Sequence, residues 1–391
     1  MLPVQSTTFN QNPIATLLTC IVAHFVNDGL DIVLPLIMPI LVIRYSLNLF
    51  EVGTILTCYS ATTVVFQPLL GYVTDITGYK KVYLSAGLIV MGVSLFLVQF
   101  ASSLIWVLLL AFLTGLGYSV YHPVAISFIN ASYMERRGFG VGFHGLGGSV
   151  GRGVFPAALG GLLAACGLGS TSLFLLTIAL LVGILVLRLP PTVGNRRGRK
   201  SGLSLTPVIL VAALVQLLRT VFYAGTVNFI PTYTVRELHL DIASAGICTS
   251  VMLVFGILTQ PLGGHLSDKL GRRAVLGLSS LLMGLSFMLF LWIPYPFSLI
   301  VLSMVGFWIF LGFPIPYAIV GDNVSREAIG TSLGIVSGLG SAGGIIAPLF
   351  VGKLGDQYGL GSAMLLASIF ALAAAGVCLL LPKGAETGTI N

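Results

Sequence analysis

Long apolar runs separated by short polar gaps dominate this chain from end to end. Twelve such runs begin near residues 14, 50, 81, 103, 138, 170, 205, 242, 273, 296, 327 and 361. Each holds roughly 20 or more mainly apolar residues, the length that crosses about 30 Å of hydrocarbon at about 1.5 Å per helical residue. Gly, Pro and charged residues collect in the gaps, and the longest gap, Pro190 to Leu205, carries Arg196, Arg197, Arg199 and Lys200. The pattern predicts an all-α integral membrane protein of twelve transmembrane helices. They divide into a first six-helix bundle over 1–189, a basic linker over 190–204 and a second bundle over 205–391.

A repeat supports that division. Gln67-Pro68 with Gly71, Asp75 and Gly78 recurs as Gln260-Pro261 with Gly264, Asp268 and Gly271, each shifted by 193 positions (260 − 67). A two-fold internal repeat in a very apolar chain points to a transporter built from two pseudo-symmetric bundles.

Composition excludes the other classes. With 56% hydrophobic residues, 8% charged residues and a mean hydropathy of +1.03, against about 25% charged residues in average proteins, one soluble core cannot hold the apolar surface. The five cysteines lie in apolar stretches without ligand spacing, which argues against metal, redox and disulfide roles. No cofactor is expected. Met1 to Asn12 is polar and lacks the basic start of a cleavable signal, so the first apolar run is expected to remain as a membrane helix.

Charge placement predicts the orientation. With the N-terminus cytoplasmic, Lys80, Lys81, Arg136, Arg137, Arg188, the four linker cations, Lys269, Arg272, Arg273, Arg326 and Lys383 fall inside, and only Arg44, Arg236 and Lys353 outside. The bias follows the positive-inside rule. The net charge of +7 therefore reports topology and gives no support to a nucleic-acid partner. The expected setting is the inner membrane of a cell, with both termini cytoplasmic and a monomeric chain in contact with lipid.

Twelve runs in two repeats, with Gly71-Tyr72-Val73-Thr74-Asp75-Ile76-Thr77-Gly78-Tyr79-Lys80-Lys81 between the second and third, resemble the major facilitator superfamily and its first cytoplasmic-loop motif. The echo from Gly264 through Asp268 and Gly271 to Arg272 and Arg273 strengthens the likeness. Gly71 and Gly264 are expected to permit close helix approach, Asp75 and Asp268 to stabilise helix N-termini, and the neighbouring cations to hold the two halves closed inside. Asp322 and Glu135, next to basic loops, are expected in cytoplasmic gate pairs. Gly142, Gly151, Pro156 and Gly160 on the fifth run resemble the antiporter signature of the superfamily, and Gly334, Gly343, Pro348 and Gly352 repeat the spacing on the eleventh. Pro156 and Pro348 are expected to kink or hinge these helices, with Ser149 and Ser341 bonding freed carbonyls.

A narrower resemblance begins on the first run. His24-Phe25-Val26-Asn27-Asp28, then Pro39, Gly53, Gln67-Pro68, Gly71 and Gly115-Leu116-Gly117-Tyr118-Ser119-Val120-Tyr121-His122-Pro123 are similar to the fosmidomycin-resistance branch of the superfamily. That resemblance implies proton-driven efflux of small, often anionic or drug-like molecules. Val124 and Arg152 depart from the branch pattern.

The residues also carry a chemical reading of their own. An ionised side chain near a helix centre costs about 2.5 to 3.5 kcal/mol on insertion scales, so each needs a partner, a cavity or a function. Asp28, Asp31, Arg152 and Arg219 all fall near the middle of their runs. His24, Asp28 and Asp31 share one helical face with Asn27 beside them. Gln216, Arg219, Thr220 and Tyr223 form a comparable face on the seventh run, with Asn228 further along; Tyr118, Tyr121 and His122 match them on the fourth, and Trp308 and Tyr317 on the tenth.

The expected mechanism is proton transfer on Asp28 or Asp31, tuning or relay by His24, and attraction of a substrate anion by Arg152 or Arg219. Fixed ion pairs that only join helices are the bland alternative. His122, beside Pro123, reads equally as a satisfied structural histidine. An importer of an organic anion is the second transport reading. An intramembrane enzyme lacks support, because no metal-protease motif, nucleophile elbow or phosphate loop occurs. Under the 193-residue interval the counterparts of Asp28 and Asp31 are Val221 and Ala224.

Overall fold

In a computed structural model, residues 12–192, 206–324 and 328–382 are described, and they form helices and short connections with no strand among them. The linker cations Arg196, Arg197, Arg199 and Lys200, together with Arg326 and Lys383, lie outside the described residues. Among the described residues, eleven helical stretches are long and apolar enough to cross a membrane. Several contain a break: α1 (Pro13–Asp31) continues as α2 (Val33–Tyr45), α7 (Pro207–Val227) as α8 (Ile230–Arg236), α9 (Ile242–Leu253) as α10 (Gly256–Leu270), and α12 (Ser298–Gly312) as α13 (Ile315–Asn323). The others are α3 (Leu49–Thr77), α4 (Lys80–Leu97), α5 (Leu104–Ser132), α6 (Arg137–Val186), α11 (Arg272–Phe290), α14 (Ile329–Tyr358) and α15 (Leu360–Val377).

The sequence divides α6 into two runs, and the structure shows why they join. The helix is continuous except at Gly167, whose φ of 73° and ψ of 177° interrupt it without a loop. Such a φ carries little steric cost only for glycine. The parts on either side, 30 residues (137–166) and 19 residues (168–186), are each long enough for a bilayer crossing.

Helix ends follow local chemistry. Asn48 caps α3 by accepting from Glu51 N at 2.8 Å, while the Glu51 carboxylate accepts from Asn48 N at 2.9 Å, a reciprocal box that satisfies two first-turn donors. Asp241 occupies the same place before α9 and accepts from Ser244 N at 2.8 Å, which holds its carboxyl below the usual carboxylate range. Gly78, with φ 74°, and Gly271, with φ 91°, terminate α3 and α10.

Two seams join the first and second parts of the chain: α3 against α14, and α6 against α9. At Gly53 an added Cβ would strike the Pro348 carbonyl oxygen, and at Gly246 it would strike that of Pro156. The backbone at these crossings is too close for any side chain. Thr57 Oγ1 donates to the Ile345 carbonyl at 2.9 Å, and Ser250 Oγ accepts from Ala157 N at 2.8 Å. Helical backbone runs through Pro156 and Pro348, so at both prolines the observed feature is a seam contact. Ser341 bonds the Ser337 carbonyl at 2.8 Å and not the carbonyl released by Pro348.

Both seams lie toward the end that carries Asn48 and Asp241. Toward the other end, Gly138, Gly142 and Gly145 on α6 and Gly334 and Gly338 on α14 have nothing within 4 Å of an added Cβ. Among the described residues, the halves meet closely at the Asn48 end, whereas these glycines at the end that carries Lys80 and Arg272 face open space.

The loop motif differs from expectation in three respects. Gly71 packs on Pro123, with a Cβ distance of 3.2 Å, but Gly264 faces open space. Asp75 pairs with Lys80 at 2.6 Å and Asp268 with Arg272 at 2.5 Å, so each acid meets a first-turn cation of the next helix instead of capping N–H groups. Arg272 also holds Asp322 at 2.9 Å, and Arg273 donates to the Leu381 carbonyl at 3.2 Å. These partners all lie in the same half of the chain, so the described contacts brace each half internally and do not tie the halves together. Lys81 is half-buried and Glu135 exposed.

Candidate functional site

A cavity of about 470 Å³ lies between the halves. His24 and Asp28 reach it from α1, His122 from α5 and Arg152 from α6, while Gln216, Arg219, Thr220 and Tyr223 line it from α7. Gln260, the second copy of the repeated glutamine, and Tyr317 complete its polar wall.

The first-half wall is a charge cluster. Arg152 Nε lies 3.1 Å from Asp28 Oδ2, and one terminal nitrogen of Arg152 lies 2.9 Å from Asp31 Oδ2. That same nitrogen donates to Tyr118 Oη at 2.5 Å, and Tyr59 donates its hydroxyl to Asp31. One guanidinium fork thus bridges two carboxylates, the arrangement its planar geometry favours. Asn27, fully buried, donates to Asp28 Oδ1 at 3.0 Å. Imidazoles surround the remaining sides of Asp28: His24 Nε2 lies 3.4 Å from Oδ2, and His122 Nε2 lies 3.6 Å from Oδ1.

Helical spacing produces this cluster. On α1, residues 24, 28 and 31 share a face. On α6, His144, Gly148 and Arg152 follow at four-residue steps, and α6 packs along α1. Gly148 is the contact point: an added Cβ there would collide with His24 Nε2 and lie 2.7 Å from Asp28 Oδ2.

His144 was missed in the sequence although the steps 144, 148, 152 mark it. Its ring is buried and stacks on His24 at 4.3 Å between centroids, and its carbonyl lies 2.9 Å from His24 Nδ1. Tyr59 was missed as well, because nothing local on α3 distinguishes it. Tyr121 is fully buried and donates to the Cys20 carbonyl at 2.6 Å.

The second-half wall is built differently. Arg219 is buried and donates to Ser280 Oγ at 2.6 Å, Ser279 Oγ at 3.3 Å, the Ile309 carbonyl at 2.8 Å and the Trp308 carbonyl at 3.3 Å. Every one of these partners is neutral. No acid of the described residues forms an ion pair with it, so its charge is solvated by dipoles alone. Ser279 and Ser280 gave no signal in the sequence. Asn228 caps the end of α7 and does not line the cavity, and Trp308 contributes its carbonyl.

The helix contacts correct the repeat register. Gly148 abuts His24 as Gly340 abuts Gln216, and Gly151 abuts the Phe25 carbonyl as Gly343 abuts that of Leu217. Both pairs give an interval of 192 (340 − 148 and 216 − 24), not the 193 that relates α3 to α10. The counterparts of Asp28 and Asp31 are therefore Thr220 and Tyr223, in place of Val221 and Ala224, and Arg219 answers Asn27.

A helical membrane protein with a central polar cavity between two similarly built walls has the form of a small-molecule transporter. The sequence matches the description of the Major Facilitator Superfamily over residues 20–235 and again over 212–390. The chain belongs to that superfamily. It is 28% identical over 361 residues to the uncharacterized MFS-type transporter YfnC of Bacillus subtilis, covering 88% of this chain and 87% of that one. It is 25% identical to the fosmidomycin resistance protein of Escherichia coli, over 88% of this chain and 83% of the relative. Its fold is similar to the crystal structure of a bacterial homologue of the human lysosomal transporter Spinster, with a TM-score of 0.80 and 17% identity over 94% of this chain and 96% of that one. These relatives are transporters, and the chain is not an enzyme.

Proposed function

We propose that this protein is a proton-coupled exporter of a small organic anion. It works by alternating access between two six-helix bundles, 1–189 and 205–391, joined by the linker 190–204; the break at Gly167 supports reading α6 as two of the twelve spans. One observation carries the reading: a cation balanced only by dipoles, Arg219, faces a cluster of two acids and one arginine across a single cavity. A substrate anion entering the cavity gains Arg219 and competes with Asp28 and Asp31 for Arg152. A proton on Asp28 or Asp31 loosens the same arginine. Proton and anion thus act on one set of ion pairs, which is the requirement for coupling. Antiport follows when the proton that releases substrate enters from the opposite side.

The cavity is complete within one chain, in keeping with a monomer. With the termini in the cytoplasm, the parted Lys80 end opens inward and the seams close the outside. The inner membrane is the setting that the positive-inside bias supports. The relative named for fosmidomycin resistance makes fosmidomycin the first compound to try.

The test is transport by purified protein in proteoliposomes with an imposed pH gradient, across small phosphonates and carboxylates and their neutral analogues. Anions are expected to move against their gradient when the proton gradient is set, with neutral analogues inert. Equal transport of both, or transport indifferent to the pH gradient, refutes the reading; the sign of the gradient that drives movement separates export from import.

A further inference from the structure

The geometry around Asp28 holds more than a proton site. His24 Nδ1 lies 2.9 Å from the His144 carbonyl oxygen, which can only accept, so Nδ1 carries the ring proton. The lone pair of neutral His24 is then on Nε2, directed at Asp28 Oδ2 at 3.4 Å, itself an acceptor. His122 directs Nε2 at the other carboxylate oxygen at 3.6 Å and at Tyr118 Oη at 2.9 Å. The three ligand atoms lie within 4.8 Å of one another. His24 Nε2 and Asp28 thus present lone pairs to each other, and the Nδ1–H tautomer of His122 adds a third, a set that one cation satisfies together.

A proton serves one His–Asp contact, whereas a divalent ion serves all three donors together. Ligands at about 2.0 to 2.2 Å from a tetrahedral zinc-type ion stand roughly 3.3 Å apart, close to the two His–Asp spacings of 3.4 and 3.6 Å, each to a different carboxylate oxygen, within a set that spans up to 4.8 Å. Metal-bound imidazoles commonly donate their other N–H to a carbonyl or carboxylate, which fixes the tautomer. His144 supplies that carbonyl to His24.

We propose that His24, Asp28 and His122 bind one divalent transition-metal ion of the zinc type, entering from the cavity. The borderline imidazole and carboxylate set suits zinc, cobalt or nickel better than calcium or magnesium. Arg152 shares Asp28 in the metal-free arrangement, and it has a second anchor ready in Asp31 and Tyr118. The ion displaces it from Asp28 toward that anchor, and Asp31 offsets part of the added charge. The cavity leaves the remaining coordination position to water or to an oxygen of the substrate. Binding of the ion stands independently of what is transported; its consequence, block of proton uptake at Asp28, rests on the proposed function.

Protein purified without a polyhistidine tag is titrated with Zn²⁺ against a chromophoric chelator and with Co²⁺ followed by visible absorption. One ion per chain is expected, with the dissociation constant raised at least about tenfold in His24→Gln and in His122→Gln. The same constant is expected in His239→Gln and His265→Gln, whose histidines are exposed and remote. Thermal unfolding checks that each variant is folded, and His24→Cys, which offers a thiolate ligand, is expected to restore affinity. Absence of a stoichiometric ion, or an ion whose affinity ignores both His24→Gln and His122→Gln, overturns the site. In proteoliposomes Zn²⁺ is expected to inhibit pH-driven transport. Failure of the site with pH-driven anion transport intact leaves the proposed function standing; a bound ion in a protein indifferent to the pH gradient refutes the proposed function and retains the site.

Discussion

The inner faces of α1 and α7 occupy equivalent places, each packed along a glycine-rich helix, and they carry opposite chemistry. On α1, Asp28 and Asp31 are joined to Arg152 from α6. On α7 the matching positions are Thr220 and Tyr223, and the charge has moved one position earlier, to Arg219, where neutral oxygens hold it. Gly344 stands where the first half has Arg152, under the 192-residue interval. The duplicated scaffold therefore fixes where a cavity forms, while each wall is free to differ in charge. Two acids around one arginine leave the first wall formally −1, and Arg219 leaves the second +1, with the histidines neutral. In the proposed mechanism a proton answers the first imbalance and a substrate anion the second.

Exchanging equivalent residues is the most direct way to break that comparison. Asp28→Asn is expected to reduce pH-driven transport about a hundredfold, because it removes a charge from a buried pair whose disruption costs about 3 to 5 kcal/mol. Thr220→Val, at the matching place on α7, is expected to change the rate less than about threefold. Initial rates in proteoliposomes measure both, and equal effects end the division of labour. Full activity in both Asp28→Asn and Asp31→Asn likewise removes the proton role from this cluster.

Arg219→Gln tests the other wall. The apparent KM for an anionic substrate is expected to rise about tenfold, the loss of one charge-assisted contact, with little change for a neutral analogue. Arg219→Lys recovers only part, since a single ammonium group cannot meet two hydroxyls and two carbonyls in one plane. Equal losses for anionic and neutral substrates reduce Arg219 to a structural role.

The glycine contacts sharpen the comparison further. Gly148→Ala places a methyl against His24 and Asp28, which are fixed, whereas Gly340→Ala meets Gln216 Cγ, at 2.5 Å, on a flexible side chain. The first is expected to destabilise by about 1 to 3 kcal/mol through overpacking and the second by less, as read by thermal unfolding in detergent. The smallest effect is expected at the closed end. Asp356 accepts from Leu49 N at 2.8 Å and Phe50 N at 2.9 Å, so an acid of α14 caps α3 across the seam. Asp356→Asn weakens this charge-to-helix contact, and the labelling rate of a cysteine placed in the seam is expected to rise about twofold. An unchanged rate assigns the closure to the backbone crossings at Gly53 and Gly246.

Much of this organisation was legible in the chain. Apolar runs of bilayer length announced the membrane class, since an uncompensated backbone in hydrocarbon leaves helices as the economical answer for such runs. The facing of His24, Asp28 and Asp31 followed from helical periodicity alone, and the place of Arg152 and Arg219 along their apolar runs from counting. His144 was equally legible at four-residue steps from Arg152. The partners Tyr59, Ser279 and Ser280 were not, because hydroxyl groups are common on membrane helices and only packing selects the few that turn toward a charge.

Sequence by itself determined the helices, the repeat and the four intramembrane charges, because length, periodicity and desolvation cost are properties of local stretches of chain. Tertiary structure decided the rest. It showed that α1 and α7 follow the 192-residue interval carried by the glycines and prolines of α6 and α14, and not the 193 of α3 and α10, a slip of one residue that rotates a helix face by about 100° and replaces Val221 and Ala224 with Thr220 and Tyr223 as the true counterparts. It also paired Arg152 with both acids and left Arg219 to dipoles. Which buried charges meet depends on helix rotation and on the close approach that Gly148 and Gly340 permit, and those are set by contacts between distant segments.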